Sequence, residues 1–509
     1  MTQEQHKRLK PGLTFLITLV ALSLVAALIW PLVNRWERRT VAEQGGTVRI
    51  GARQAPGSLD IRTEPGQGVE QALLGNVYQT LVGLDDQGKP EPGVADHWRV
   101  SADGLTYTFH LRAGEEFEDG SALDSDAALW SLQQILANKY VGWQSLNNLA
   151  QVTNPSSDEL RVELKSPDAR LPRILASRAG IVYNRGARVN YASQSAGSGP
   201  YAVEDYQNGQ ELTLSRSKTY NGPHKAAIGT VILSYKEGSS GQAQQVADGK
   251  LDAAVDLSPQ EAGTAKGLKG FATSTGVSQS NLVLAFNDSQ TSILSDQRFK
   301  EAVRYGVDRP AIAAGSNGTA KALNGPVNDL SAGYDAGYAP FQHDAAKARS
   351  LAGYFNPSFY HGRLRLVYEQ SLGGQVGQQV KDQLAEAGIP AEVTMLDQAA
   401  FQDQVMTKRD YELTLLTMSN DDISQFADPN STMLFDDPEC QQLFRLATGA
   451  SSEQDYASRL KQYARSLADK SPSDWLTAKT PVNVRAFRLK GLNENMSDDR
   501  LAAWRIDRG

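Results

Sequence analysis

Between Leu364 and Met395 the chain changes its side-chain period twice. LRLVYEQ reads as a strand, GGQVGQQVKDQLAEAG has helical spacing with its stop at Gly388, and PAEVTML returns to a strand. Strand, helix and strand in this order select an α/β sheet, because neither element can bury its apolar side alone. At 509 residues the chain is too long for one compact core, so two or more lobes are expected.

The same logic places elements elsewhere. Gly46–Ala52 (GTVRIGA) alternates like a first strand, and Val69–Leu84 has helical spacing at Leu73, Val77 and Leu81. HWRVSADGLTYTFHLR flanks Asp103-Gly104 with alternating runs, a hairpin signature. A helix over Asp124–Asn138 has Asp124 or Ser125 as its cap. Short strands fill Leu160–Arg216, and Gln242–Leu257 reads as helix, turn at Gly249, and strand. LVLAFN (Leu282–Asn287) is a buried strand, Arg298–Ile312 a helix ended near Asp308-Arg309-Pro310, Tyr411–Met418 another strand and Gln454–Ala468 another helix.

The amino terminus makes a separate statement. His6, Lys7, Arg8 and Lys10 precede an uncharged run whose centre, residues 13–33, is LTFLITLVALSLVAALIWPLV. Roughly 20 apolar residues cross the hydrocarbon of a bilayer. The run ends in bulky Ile29, Trp30 and Pro31 and offers no small-residue cleavage site, so it is expected to stay as an anchor. With no cysteine nearby, lipid attachment through a thioether is excluded. Lys7, Arg8 and Lys10 on one side balance Arg35, Arg38 and Arg39 on the other, so flanking charge does not orient the span.

Several chemistries are disfavoured. A net charge of −7 with scattered basic residues predicts no nucleic-acid partner. Cys440 is the single cysteine, which rules out an internal disulfide and suits a buried bystander thiol. The six histidines are widely separated and form no HExxH pair. No GxSxG elbow, Walker loop or dinucleotide fingerprint occurs. The acids Asp421, Asp422, Asp428, Asp436 and Asp437 fit no calcium loop. Neither catalysis nor a cofactor or metal is expected.

The order of motifs carries a resemblance. EPGVADHWRVSADGLTYTFHLRAGEEFEDGSALDSDAALWSL (Glu91–Leu132), GSGPYAVEDYQNGQELTLSRSKTYNG (Gly197–Gly222), ADGKLDAAVDL (Ala247–Leu257), DQRFKEAVRYGVDRPAI (Asp296–Ile312) and HDAAKARSLAGY (His343–Tyr354) follow one another in this chain. Together they resemble the large bacterial solute-binding proteins of family 5, the peptide- and nickel-type binding proteins of ABC importers. The resemblance implies an α/β fold of two lobes, with an extra subdomain in the first, closing on a ligand. By analogy residues 1–12 are a cytoplasmic tail, 13–33 the transmembrane anchor and 34–45 a linker. Lobe I takes 46–277 and 479–509, with an inserted subdomain at about 73–195, and lobe II takes 278–478. Hinge strands are expected near Ser278–Asn281 and Thr477–Val482. The implied partners are a peptide or small cationic solute, ABC permease subunits, and the inner membrane through a single-pass anchor, with the binding domain outside.

Within that resemblance, Asp410–Asp421 (DYELTLLTMSND) looks like the segment that ends a lobe II strand and presents an aspartate to a ligand's ammonium group. Asp421 is the expected contact, with Met418, Ser419 and Asn420 beside it. Asp421 or Asp422 could instead cap the following turn. Met418 stands where the family often has an aromatic residue. Tyr368, Glu369 and Gln370 stand where dipeptide binders place a carboxylate-binding arginine, so Lys479 near the second hinge crossing is the candidate cation. Gln54 and Pro56 follow the first strand, where the family's ligand-facing turn lies. Two other roles stay open at this point: a tethered solute sensor, or an importer component for a nickel chelate or opine.

Overall fold

A computed structural model describes residues 45–235, 241–356, 358, 362–450, 452–495 and 500–508. The expected anchor at 13–33 lies outside these residues. Among the described residues no helix is long and apolar enough to cross a membrane.

Two sheets organise the chain. The first has seven strands in the order Phe271–Thr275, Val482–Ala486, Ala253–Ala254, Thr47–Gly51, Thr230–Ser234, Glu211–Arg216 and Tyr201–Gln207. Thr47–Gly51 runs parallel to both of its neighbours and the other pairings are antiparallel. The second has six strands in the order Ala320–Ala322, Ser473–Lys479, Asn281–Phe286, Leu413–Met418, Leu364–Glu369 and Ala391–Leu396. A four-stranded antiparallel sheet, built from residues 95–164, is inserted in the chain between Thr47–Gly51 and Tyr201–Gln207 of the first sheet.

The strand–helix–strand reading of the second sheet holds in detail. Leu364–Glu369 pairs in parallel with Ala391–Leu396, and the helix Gly374–Glu386 between them ends at Gly388, whose φ of 80° suits glycine. Leu366, Tyr368, Val380 and Leu384 are buried together in the core of this lobe. The hairpin at residues 95–111 also forms, although only Gly104 takes positive φ (71°). Asp103 instead accepts hydrogen bonds from Ser101 and from the Leu105 N–H (3.0 Å), which widens the loop. Asp124 caps the helix Ser125–Ala137 through the Ala127 N–H (3.0 Å).

One expectation fails. The helix expected over Val69–Leu84 covers only Gln67–Leu73, because Gly75 turns the chain with φ of 77°. Leu73, Leu74, Val77, Tyr78, Leu81 and Val82 are all buried, so the apolar spacing there reflects burial on every side and carries no helical phase. The turn has a packing role. Asn76 donates from Nδ2 to the carbonyls of Ala72 (3.0 Å) and Leu501 (2.6 Å), and its Oδ1 accepts from the Ala503 N–H (3.0 Å). Gly197 of the GSGPY motif passes so close that a Cβ would meet the Val77 carbonyl at 1.9 Å.

The chain crosses between the two sheets twice, side by side. Phe271–Thr275 pairs with Val482–Ala486 in one sheet, and Asn281–Phe286 pairs with Ser473–Lys479 in the other. Between them Gly276 N–H donates to Pro481 (3.0 Å), and Lys479 N–H donates to Ser280 (2.8 Å), so the double strand continues through the crossing. The lobes also meet away from it: the Ala169 N–H donates to the Thr448 carbonyl (2.8 Å), and Lys266 Nζ to the Asn317 carbonyl (2.8 Å).

Lobe II buries charge in its core. Asp474 accepts from Arg304 (3.4 Å) and Arg309 (3.2 Å), with the Arg304 and Asp474 side chains fully enclosed. Removing one partner leaves an uncompensated buried charge. Asp474→Ala is expected to destabilise the protein by about 3–5 kcal/mol in urea denaturation. In lobe I, burial pushes the Glu115 carboxyl up to about 7, with Arg112 opposing the shift. The folded state then holds a proton that the unfolded chain releases above its ordinary value of 4.5. This contribution is present at low pH and is lost as pH rises through 4.5 toward 7. Glu115→Gln is expected to remove that decline, gaining stability relative to the parent at pH 8 but not at pH 4.

Candidate functional site

The strand Leu413–Met418 ends at the face where lobe II meets lobe I, and the next turn separates the residues singled out in the sequence. Asn420 is buried and spent: its Oδ1 accepts from Asn281 Nδ2 (3.0 Å) and the Asn328 N–H (3.0 Å), and its Nδ2 donates to Asn328 Oδ1 (2.8 Å). Asn328 Nδ2 closes the triad on Asn281 Oδ1 (2.9 Å). Met418 is also turned inward, packed in the same lobe core as Phe426 and Trp475. Ser419 begins the next turn, and Asp422 folds back to accept from the Ser419 N–H (2.7 Å) and hydroxyl (3.0 Å). The capping role therefore falls to Asp422. Met418 and Asn420 do not present side chains to a cleft, since core packing and a complete hydrogen-bond set hold them inside.

Asp421 is left exposed, and among the described residues it makes no hydrogen bond or ion pair. Its field reaches across the lobe boundary to Arg170 and, within lobe II, to Tyr456. Burial pushes the Tyr456 phenol well above its ordinary value; Asp421 adds to that rise, and Arg170 and Arg173 oppose it. Those four groups therefore share one electrostatic neighbourhood.

The candidates around the first strand sit elsewhere. Gln54 and Lys479 line a small polar pocket with Gln67, Gln71 and Asp256. Lys479 Nζ is paired with Asp256 Oδ2 at 2.8 Å, so the cation nominated for a ligand carboxylate is already neutralised. Asp256 has φ of 52° and its N–H donates to Asn483 Oδ1 (2.9 Å), which fixes the acid at the strand end. Pro56 is buried and its carbonyl accepts from the Tyr206 hydroxyl.

Two solvent-open cavities lie where the lobes face each other, of about 190 Å³ and 360 Å³, and they share Arg173 and Glu453. Only the second reaches the range of small-molecule sites. Trp98, Val100 and Tyr107 of the inserted sheet give the first an apolar wall, opposite Tyr456. Every charged residue that lobe I contributes to the two linings is basic (Lys89, Arg170, Arg173), and every one from lobe II is acidic (Asp329, Glu453). Arg170 is held by a bidentate pair with Asp168 (2.9 and 2.8 Å) and lies 5.2 Å over the Phe444 ring. Arg170, Arg173 and Tyr456 were not singled out in the sequence. Their one local signal is the spacing of two arginines three apart at the start of a short helix.

This architecture of two α/β lobes joined by two adjacent crossings, with a cleft between them, defines a solute-binding fold. A family model described as bacterial extracellular solute-binding proteins, family 5, middle part, matches residues 89–436. The chain belongs to that family. Glutathione-binding protein GsiB of Escherichia coli strain K12 is 26% identical over 339 residues, and the match spans 65% of this chain and 65% of that relative. NikA from Brucella suis in complex with Fe(III)-EDTA superposes with a TM-score of 0.78 at 18% identity, covering 91% of this chain and all of that one (100%). DppA from Helicobacter pylori in complex with the peptide STSA gives 0.75 at 16%, covering 91% and 98%. At such identities the two structures establish the fold alone.

The turn after Met418 yields a contrast in stability. Asn420→Ala opens the buried triad and is expected to cost about 1–3 kcal/mol, whereas Asp421→Asn stays within about 0.5 kcal/mol of the parent. Urea denaturation of both variants measures the difference.

Proposed function

We propose that the chain is the extracytoplasmic binding component of an ABC importer, capturing peptides or a related amine-bearing solute between its lobes. The observation that carries this reading is Asp421, an exposed carboxylate without a partner among the described residues, at the end of a lobe II strand and facing lobe I. A carboxylate in a closing cleft is costly to desolvate unless a cation pairs with it. The ammonium group of the solute supplies that cation. The named properties of relatives agree, since one is a glutathione-binding protein and one fold neighbour holds a peptide.

In this reading the double crossing near 276–281 and 477–482 is the hinge, and the apolar run at 13–33 tethers the binding domain to the outer face of the inner membrane. Closure presents the joined lobes to permease subunits, and the chain performs no covalent chemistry.

Native mass spectrometry of the chain from Arg39 onward, purified without denaturation, is expected to release a pool of peptides. A single sugar or metal complex in their place sinks the proposal. Against a peptide so identified, Asp421→Asn is expected to weaken binding by about 2–5 kcal/mol in calorimetry. Unchanged affinity removes Asp421 from the role.

A further inference from the structure

Gly45 is the first described residue, and the strand after it opens one end of the seven-stranded sheet. Ile50, Ala253 and Arg485 form one row across this sheet, and Ala486 pairs with Phe271. Thr47, Arg488 and Lys269 therefore come out at the same end. The short pair of strands Leu489–Lys490 and Asp507–Arg508 lies against it, since Arg508 donates to the Thr47 carbonyl. Gln54 and Asp256 follow the opposite ends of these strands.

Charge at this end is one-sided. Arg49, Lys269, Arg488, Lys490 and Arg508 are all exposed. One acid, Asp252, serves both Arg488 (2.8 Å) and Arg508 (3.5 Å), and Asp507 stands across from Lys490. Lys250 and Asp248 pair with each other (3.6 Å) and leave the balance unchanged. Lys269 and Lys490 make no hydrogen bond or ion pair among the described residues. From the turn between Val482–Ala486 and Leu489–Lys490, Phe487 stands out with 64% of its surface exposed. An aromatic ring at the tip of a basic surface has the composition of a contact with an anionic lipid interface.

The covalent chain supplies the second argument. The apolar run closes at Val33, and residues 34–44 link it to Gly45. That length reaches at most about 40 Å when fully extended, so with the run as anchor this end of lobe I is leashed to the bilayer surface. We propose that it docks there: the five cations lie on the anionic lipid headgroups around the anchor, and Phe487 enters at headgroup level. The inference rests on the anchor reading above and extends it from a tether to an oriented contact. Each cation close to an anionic leaflet strengthens such a contact about fivefold, and salt weakens it.

The test uses the full chain in lipid nanodiscs, either of phosphatidylcholine alone or with about 30% phosphatidylglycerol, with amide hydrogen exchange as the readout. Exchange across residues 487–491 is expected to slow about threefold or more in the anionic discs, and to recover in about 0.5 M salt. Exchange in the helix Gly374–Glu386 of lobe II should be the same in both discs. The double variant Lys269→Glu, Lys490→Glu and the single variant Phe487→Asp are each expected to lose the protection. All three side chains are exposed, so the variants should keep the parent's melting temperature in detergent. Equal exchange in the two lipids, with the chain held in both, overturns the contact and leaves the anchor in place. Protection that survives salt or the double charge reversal overturns it too. Failure of the chain to enter either disc overturns the anchor reading and the contact with it.

Discussion

The geometry of the whole molecule depends on four strands that form two antiparallel pairs in line. Phe271–Thr275 and Val482–Ala486 belong to one lobe, Asn281–Phe286 and Ser473–Lys479 to the other, and hydrogen bonds bridge the gap from Gly276 to Pro481 and from Lys479 to Ser280. A pair of parallel tethers resists twisting and sliding far more than bending. The lobes are thereby joined side by side, and residues as distant in sequence as Arg173 and Tyr456 line one cavity between them. The Lys479–Asp256 pair sits at this crossing, where its pairing secures the crossing to lobe I.

Charge is arranged differently in the lobe core and at the cleft. The core of lobe II encloses Asp474 between Arg304 and Arg309, so this buried carboxylate is paired within its own lobe. At the cleft the compensation is deliberately incomplete: Asp421, Glu453 and Arg173 have no ion partners among the described residues. Basic groups on one wall and acidic groups on the other attract across the gap, and the attraction weakens with salt because the cavities are open to solvent. Burial of the Cys440 thiol, pushed up to about 12, keeps the one reactive sulfur in the chain out of this chemistry.

Much of the fold was legible from periodicity. The Leu364–Met395 segment was readable because its strands and helix each bury one well-defined side, and the caps at Asp124 and Gly388 are local chemistry. Val69–Leu84 misled for a complementary reason: where every side is buried, apolar spacing loses its phase and Gly75 decides the path. The site was less legible. Asp421 could be named because a strand end precedes it, but the inward turn of Met418 and Asn420 depends on Asn281 and Asn328, which sequence proximity does not reveal. Lys479 is paired with Asp256, a residue brought to it by sheet order. Arg173 and Tyr456 come to line one cavity only when the lobes meet.

The seven-stranded sheet carries a temporal consequence. Val482–Ala486 lies between Phe271–Thr275 and Ala253–Ala254, and residues 501–503 are stapled to Asn76. Lobe II is contiguous and complete once Lys479 has been made. Lobe I, although most of it is synthesised first, keeps an open slot in its sheet until nearly the last residues arrive. The amino-terminal half must therefore wait, with unpaired strand edges, for the carboxyl-terminal tail to close it. Premature termination anywhere after Lys479 would leave the later-made lobe intact and the earlier-made one unfinished.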